Sequence, residues 1–134
     1  MSRLRRGTDE GFTLVELLAV CVVIGILAAI ALPTFLSQKA KAQRATLHSD
    51  LRNVAAAQEA HLSETGTYGT DESVLALEGF HRSDGVSALE IAVYSVSGSV
   101  AYCVRASYGG AAAWFDSPTG RVTQQQPDST NCPA

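Results

Sequence analysis

The stretch GFTLVELLAVCVVIGILAAIALP, residues 11–33, decides how this chain is organised. Between residues 12 and 36 the only charged side chain is that of Glu16. A helix of about 25 residues is roughly 37 Å long, enough to cross a hydrocarbon core of about 30 Å. A carboxylate at the centre of a bilayer costs roughly 3 kcal/mol or more, so we expect Glu16 to have a function.

A secretory signal peptide is the other interpretation of this segment. As in a signal peptide, basic residues precede the apolar run: Arg3, Arg5 and Arg6. The run also contains small residues at which a signal peptidase could cleave: Ala28, Ala29 and Ala31. However, the apolar run exceeds the usual length of about 7–15 residues, and the polar GTDE separates it from the arginines. A membrane anchor is therefore the favoured interpretation. Its orientation stays open, because Lys39, Lys41 and Arg44 balance the three arginines.

Helical periodicity continues beyond Pro33. Six residues recur at helical spacing, and all of them except the glutamine are apolar: Leu47, Leu51, Val54, Ala55, Gln58, Leu62. The opposite, polar face is predicted to carry four charged residues: Arg44, Asp50, Arg52, Glu59. Gly66 is a suitable C-terminal stop. We predict one helix from about residue 12 to 65, apolar over 12–36 and amphipathic over 37–65.

The remaining sequence predicts a loop and a small sheet. Residues 66–88 are rich in Gly, Ser, Thr and Asp and indicate a loop with one helical turn near Ser73. Residues 89–134 contain alternating strands separated by the turn signals Ser97-Gly98, Gly109-Gly110 and SPTG. These patterns predict an α+β fold, in which a three- to four-stranded antiparallel meander packs on the amphipathic helix.

The three cysteines predict one disulfide. Cys21 lies in the apolar run, whereas Cys103 and Cys132 form a spaced pair that suggests a bond outside the cytoplasm. Three reduced thiols are the alternative. A bond between Cys103 and Cys132 would stabilise the fold by roughly 3–4 kcal/mol in the chain-entropy model and would hold the polar tail against the second strand.

Composition and motifs argue against catalysis. The chain has a net charge of -3 and no long basic run, so nothing indicates DNA as a partner, although it stays open. The sequence contains no phosphate loop, no Gly-x-Ser-x-Gly and no Cys-x-x-Cys. His48 and His61 are too far apart on one helix to share a metal. We therefore expect no enzyme activity, no cofactor and no metal site.

Two surface features have alternative interpretations. The loop carries four acidic residues, for which a solvated surface is favoured over a calcium site: Asp71, Glu72, Glu78, Asp84. For Trp114 and Phe115, core positions are favoured over a ligand platform. The two are adjacent in a strand and point to opposite faces, so exposure of one of them stays open.

Residues 11–36 resemble the N-terminal signature of type IV pilins and the related pseudopilins. The specific features are the Gly11-Phe12 junction, Thr13, Glu16 at the fifth position after the junction, and two further residues, Gly25 and Pro33. The resemblance covers about the first third of the chain. It implies a prepilin with a class III-type leader and the pilin fold.

The resemblance assigns roles at the junction. Residues 1–11 would be a leader that a prepilin peptidase removes after Gly11 on the cytoplasmic side. Phe12 would then be the new N-terminus, and the same enzyme would methylate its amine. The resemblance also implies an external C-terminal domain, which fixes the orientation.

Glu16 then has a physical role. It lies four residues beyond Phe12, about 6 Å along the helix from the new amine. A buried carboxylate needs a partner of opposite charge. That amine belongs either to the same chain or to an incoming subunit, and the resemblance implies docking between subunits. The alternative is a glutamate that snorkels to the membrane surface.

Gly25 and Pro33 are interpreted as helix-weakening residues. Helix propensity is low at both positions, and the resemblance implies that the intervening stretch can lose helical order during assembly. The alternative is an ordinary membrane helix with a kink at Pro33.

Three functions compete. The first is a pilus subunit for adhesion, motility or DNA uptake, in the cytoplasmic membrane before assembly and at the cell surface afterwards. The second is a pseudopilin of a secretion or competence machine. The third is a monomeric, membrane-anchored binding module. The implied partners are other copies and other pilins, the prepilin peptidase, a membrane platform protein and, indirectly, an assembly ATPase.

Overall fold

The computed structural model describes residues 11–127 and 131–134. The chain divides into two compact units, which meet in sequence between Ser37 and Gln38. The helices and strands are α1 (Leu14–Thr65), α2 (Glu72–Leu77), β1 (Glu90–Val96), β2 (Ser99–Tyr108), β3 (Ala111–Asp116) and β4 (Arg121–Thr123). The α+β architecture with a long N-terminal helix and an antiparallel sheet is confirmed.

Helix α1 ends close to the predicted positions. Thr13 precedes the first helical residue, and its Oγ1 accepts a hydrogen bond from the Glu16 amide at 3.2 Å, as in a helix N-cap. At the other end Gly66 adopts a left-handed conformation (φ 76°), and its N–H donates to the Leu62 carbonyl at 2.8 Å. Glycine reaches this conformation without strain, so the helix stops here.

The sheet is a four-stranded meander in the order β1-β2-β3-β4, with every neighbouring pair antiparallel. The turn between β1 and β2 consists of Ser97 (φ 52°) and Gly98 (φ 86°). Two successive positive φ angles are those of a type I′ turn, whose twist matches that of the flanking strands. Local turn chemistry therefore fixes the first hairpin, as predicted from Ser97-Gly98.

The main core of the unit Gln38–Ala134 lies between α1 and one face of the sheet. It combines helix, loop and strand side chains: Leu47, Leu51, Val54, Ala57, Leu75, Phe80, Val86, Tyr102, Val104, Ala106, Ala113, Phe115. The rings of Tyr102 and Phe115 stack with centroids 5.8 Å apart. This packing is the cover that a small sheet requires.

The predicted polar face of α1 was wrong at one position. Asp50 is buried, and its carboxylate accepts hydrogen bonds from Ser83 N at 2.9 Å and Ser83 Oγ at 2.7 Å. These bonds satisfy the buried charge, which would otherwise be costly. Asp50 therefore attaches the loop before β1 to the helix.

The other face of the sheet is covered by the C-terminal tail. Cys103, Trp114 and Cys132 form a second buried cluster, and Trp114 Nε1 donates to the Pro133 carbonyl at 2.8 Å. Phe115 is buried on the opposite face. The core positions favoured for Trp114 and Phe115 are therefore confirmed, and neither side chain is exposed, because the tail covers the tryptophan.

Short-range capping orders the acidic loop. Asp71 caps α2, and its carboxylate accepts from Ser73 N at 2.9 Å and Val74 N at 3.2 Å. Its hydrogen bonds, above all that from the Ser73 hydroxyl, lower the pKa of the Asp71 carboxyl. Glu72 pairs with Arg82, and Glu78 pairs with His61 Nδ1 at 3.0 Å. Three of the four acidic residues thus have structural partners within the unit.

Candidate assembly site on the N-terminal helix

The first unit presents an apolar helix without a protein partner in the described part of the chain. Every large apolar side chain between residues 12 and 36 is exposed, from 45% for Val20 to 80% for Leu14. By length and composition, α1 is the one helix among the described residues that can span a membrane. Such a surface is unfavourable in water at about 25 cal/mol per Å², so it requires lipid or other helices around it.

Glu16 lies in the first turn of this helix, and its side chain is exposed. Thr13 Oγ1 lies 3.4 Å from Glu16 Oε2 and 3.2 Å from the Glu16 amide. The arrangement resembles half of a capping box, in which the side chains at the N-cap and N3 positions satisfy the free amides of the first turn. Thr13 therefore restrains the glutamate near the helix start while the carboxylate stays accessible.

The bond between Gly11 and Phe12 lies outside the helix. Both residues are exposed, and α1 begins only at Leu14. The backbone at this junction is therefore accessible and not held in a helix. The rest of the predicted leader, residues 1–10, lies outside the described residues, including Arg3, Arg5 and Arg6.

Helix α1 continues through both predicted weak points. Pro33 lies inside it, and a Cβ built at Gly25 would have open space around it. Near the proline, Thr34 Oγ1 donates to the Ile30 carbonyl at 3.2 Å and Ser37 Oγ donates to the Thr34 carbonyl at 2.8 Å. These two bonds flank Pro33, which lacks the amide proton that would bond to the Ala29 carbonyl in a regular helix. Loss of helical order during assembly stays a prediction.

Cys103 and Cys132 are joined by a disulfide, with their Cα atoms 5.3 Å apart. Cys21 is a free, exposed cysteine in the apolar segment. Among the described residues, the one group of His, Cys, Asp and Glu close enough to bind a metal consists of this cystine and Asp116. Because both sulfurs are in the disulfide, they are not thiolate ligands.

Sequence reasoning missed two contacts that fix the loop after α1. Asp50 binds Ser83, and the buried Gln58 binds the backbone of Gly69. A signal for Asp50 was present, because it lies between Leu47 and Leu51 at the spacing of the buried stripe. These contacts position the loop within the second unit, and all of their residues are far from Glu16 in sequence.

A family model described as a prokaryotic N-terminal methylation motif matches residues 6–32. The "Type IV wide pilus major component PilA4" of Thermus thermophilus is 28% identical over 132 residues, covering 92% of this chain and 97% of that protein. The "Type IV major pilin protein PilA" of Myxococcus xanthus is 40% identical over 60 residues, covering 45% of this chain and 27% of that protein.

A third relative comes from a secretion system. The "Type II secretion system core protein G" of Klebsiella michiganensis is 35% identical over 72 residues, covering 54% of this chain and 51% of that protein. The resemblance carried by residues 11–36 is thereby confirmed. The chain is a homologue of type IV pilins and of type II secretion pseudopilins, and it carries their N-terminal methylation motif.

Proposed function

We propose that this protein is the precursor of a type IV pilus subunit that polymerises through α1 into a surface filament. The observation that carries the proposal is the exposed apolar helix with one charged side chain, Glu16, between residues 12 and 36. A bilayer covers such a helix before assembly, and neighbouring helices cover it in a filament. Its small residues suit close packing of helices.

Maturation is proposed at the accessible Gly11-Phe12 bond. A prepilin peptidase cleaves after Gly11, which removes residues 1–11, and methylates the new amine of Phe12. The methylation motif over residues 6–32 supports this step. An α-amino group has a pKa near 8, so most of it is cationic at neutral pH and can pair with a carboxylate.

Docking is proposed between Glu16 of a subunit at the filament base and the Phe12 amine of an incoming subunit. The pair compensates two charges that would otherwise be buried alone in an apolar bundle. Thr13 favours this role because it holds the side chain in the first helical turn. Gly25 and Pro33 would allow local helix loosening as the bundle forms.

The whole process has further proposed participants. A membrane platform protein receives the subunit, and an assembly ATPase drives extension indirectly from the cytoplasm.

Each segment of the chain has a proposed place in the filament. Residues 12–36 form the filament core, residues 37–65 the second half of the helix, residues 66–88 the loop, and residues 89–134 the sheet and tail. The N-terminus is cytoplasmic before assembly, and the disulfide-bonded domain is external.

A pseudopilin function is the second candidate. The 35% identity to a type II secretion core protein G over 72 residues favours it. The match to the wide-pilus component covers nearly the whole chain, which favours the pilus function. Both candidates use the same chemistry at Phe12 and Glu16. They differ in the destination of the filament, which is the cell surface for a pilus and a secretion or competence machine for a pseudopilin.

The deciding experiment is the mass of the N-terminal peptide in filaments sheared from intact cells. A chain beginning at methylated Phe12 and abundant in the sheared fraction is expected for a pilus subunit. The same N-terminus confined to membranes would favour the pseudopilin. A chain that retains residues 1–11 in the membranes of a piliated cell would contradict both and leave a monomeric anchored module.

A further inference from the structure

A buried carboxylate lies beside the disulfide that holds the C-terminal tail. Asp116 pairs with Cys103 in the register of β2 and β3, so the two side chains lie on the same face of the sheet. A carboxylate oxygen of Asp116 and the Sγ atoms of Cys103 and Cys132 lie within 4.8 Å of one another. All three residues are buried. Negative charge thus faces the S–S bond at close range.

No cation neutralises this carboxylate in the described part of the chain. Tyr94 Oη donates a hydrogen bond to Asp116 Oδ1 at 2.5 Å, but the phenol is a neutral partner. Arg121 lies opposite Asp116 on β4, yet it is exposed, and no ion pair joins the two among the described residues. Arg105 on β2 forms its ion pair with Glu90. The negative charge of Asp116 therefore remains beside the sulfurs.

The reaction that this charge opposes is thiol–disulfide exchange, in which a thiolate attacks one sulfur of the bond. Cys132 is 6% exposed and lies in a tail without regular structure, whereas Cys103 in β2 is 0% exposed. A small thiolate therefore attacks the Cys132 sulfur and forms a mixed disulfide with it. The Cys103–Cys132 bond breaks, and its electron pair leaves on the Cys103 sulfur as a thiolate. A second thiolate displaces Cys132, which completes the reduction of the protein disulfide and the oxidation of two small thiols to one disulfide.

We propose that Asp116 protects the Cys103–Cys132 bond from thiol–disulfide exchange. Its carboxylate repels the attacking thiolate and destabilises the leaving thiolate of Cys103. Both effects are stronger in a buried cluster than in water, because the effective dielectric constant is lower there. The disulfide is therefore a closure of the tail that persists in the presence of small thiols. This inference goes beyond the proposed function and does not depend on filament assembly.

The direct test is the rate at which dithiothreitol reduces the folded, full-length protein in detergent. All proteins carry Cys21→Ser, which leaves Cys103 and Cys132 as the only cysteines. Asp116→Asn keeps the size of the side chain and an oxygen for the Tyr94 bond but removes the charge. We expect reduction to be at least about tenfold faster, because a like-charge repulsion at short range is lost. In denaturant, where nothing holds residue 116 near the sulfurs, both proteins should be reduced at equal rates.

The variant Tyr94→Phe separates charge from packing. It removes a hydrogen bond from the same carboxylate and leaves the charge in place, so we expect no acceleration of reduction. An acceleration equal to that of Asp116→Asn would show that loosening of the tail controls the rate, and it would overturn the inference. Equal or slower reduction of Asp116→Asn relative to the Cys21→Ser parent would overturn it as well.

A measurement with Asp116 unaltered keeps the inference testable should Asp116→Asn not fold. Reduction by a cationic thiol, cysteamine, is compared with reduction by an anionic thiol, mercaptoacetate, at high ionic strength, where distant charges are screened. The ratio of the cationic to the anionic rate is expected to be at least about threefold larger in the folded than in the denatured protein, because the nearby carboxylate repels the anionic thiol. Equal ratios in the two states would contradict a protective charge at Asp116.

Discussion

The side chain of Gln58 forms two hydrogen bonds with the backbone of Gly69. Its Nε2 donates to the Gly69 carbonyl at 2.9 Å, and its Oε1 accepts from the Gly69 amide at 2.8 Å. Gln58 is fully buried, and Gly69 is buried as well. One side-chain amide on α1 thus satisfies both backbone polar groups of Gly69, a buried loop residue.

Replacing Gln58 with leucine is expected to destabilise the second unit by about 2–5 kcal/mol. Leucine fills a similar volume but leaves the Gly69 N–H and C=O buried without partners, at about 1–3 kcal/mol each. The measurement is chemical denaturation of the full-length protein in detergent, followed by Trp114 fluorescence. Asn53→Leu is the matched control, because Asn53 is exposed on the same helix. Equal stability of both variants would contradict the role assigned to Gln58.

Removing the Asp50 carboxylate is expected to have a comparable effect. Asp50→Ala leaves Ser83 N and Oγ without their acceptor, and hydrogen bonds to a charged group are worth about 1.5–3 kcal/mol each. We expect a loss of about 3–6 kcal/mol and faster proteolysis in the loop around Ser83. Asp84→Ala removes an exposed carboxylate nearby and should change stability by less than about 0.5 kcal/mol. A similar loss in both variants would indicate that burial at Asp50 is unimportant.

The sequence predicted the features that depend on local pattern. Alternation in residues 89–134 predicted the antiparallel strands, and Ser97-Gly98 predicted the first hairpin turn. The signature at residues 11–36 likewise indicated the family from local sequence alone. These features depend on residues close in sequence, where period and turn chemistry carry the information.

Features that depend on distant partners were not predictable. Asp50 looked like a surface charge because its partner Ser83 lies 33 residues away. The exposure of Trp114 stayed open because the Pro133 carbonyl that covers it belongs to a tail without regular structure. Val100 alternates with core positions, yet it is 55% exposed because it lies at the end of the hairpin. Each deviation has its origin in tertiary packing.

Reducing the bond between Cys103 and Cys132 is expected to lower stability by roughly 3–4 kcal/mol. The bond closes a loop with a sequence separation of 29 residues, and its loss restores chain entropy to the unfolded state. We also expect the tail to detach and Trp114 fluorescence to shift to the red. The variant Cys103→Ser/Cys132→Ser should behave like the reduced protein, whereas Cys21→Ser should stay wild-type. A reduced protein with unchanged fluorescence would show that the tail is held without the disulfide.

Two tyrosines predict loss of stability at alkaline pH. Burial, together with the charge of Glu59, raises the pKa values of Tyr68 and Tyr102 above the ordinary value near 10. The folded protein therefore retains phenol protons that the unfolded chain has released. Since the unfolded state then binds fewer protons, the free energy of unfolding falls as the pH rises above about 10.

Denaturation between pH 8 and pH 11.5 measures this effect. Each retained proton contributes up to about 1.4 kcal/mol per pH unit to the slope. Tyr102→Phe is expected to flatten the slope, and Tyr68→Phe/Tyr102→Phe to flatten it further. Phe80→Leu is a control that lowers stability through packing and should displace the curve without changing its slope. An unchanged slope in the double variant would refute the assignment to these tyrosines.

The charge of Glu16, more than its shape, is expected to control assembly. Glu16→Gln keeps the size of the side chain and its place beside Thr13 but cannot compensate the cationic amine of an incoming Phe12. We expect normal cleavage after Gly11, normal amounts in the membrane, and a reduction of at least tenfold in sheared filaments. Glu16→Asp keeps the charge on a shorter side chain and should retain part of the yield.

The controls separate docking from capping. Thr13→Val removes the hydroxyl that accepts from the Glu16 amide and approaches its carboxylate, but it leaves the charge intact. If pairing with the Phe12 amine is the main function of Glu16, this variant should assemble better than Glu16→Gln. Filament yields of Glu16→Gln equal to wild type would show that a neutral side chain suffices. A stronger defect in Thr13→Val would instead indicate that Glu16 acts mainly in capping its own helix, because loss of the cap would then reduce assembly more than loss of the charge does.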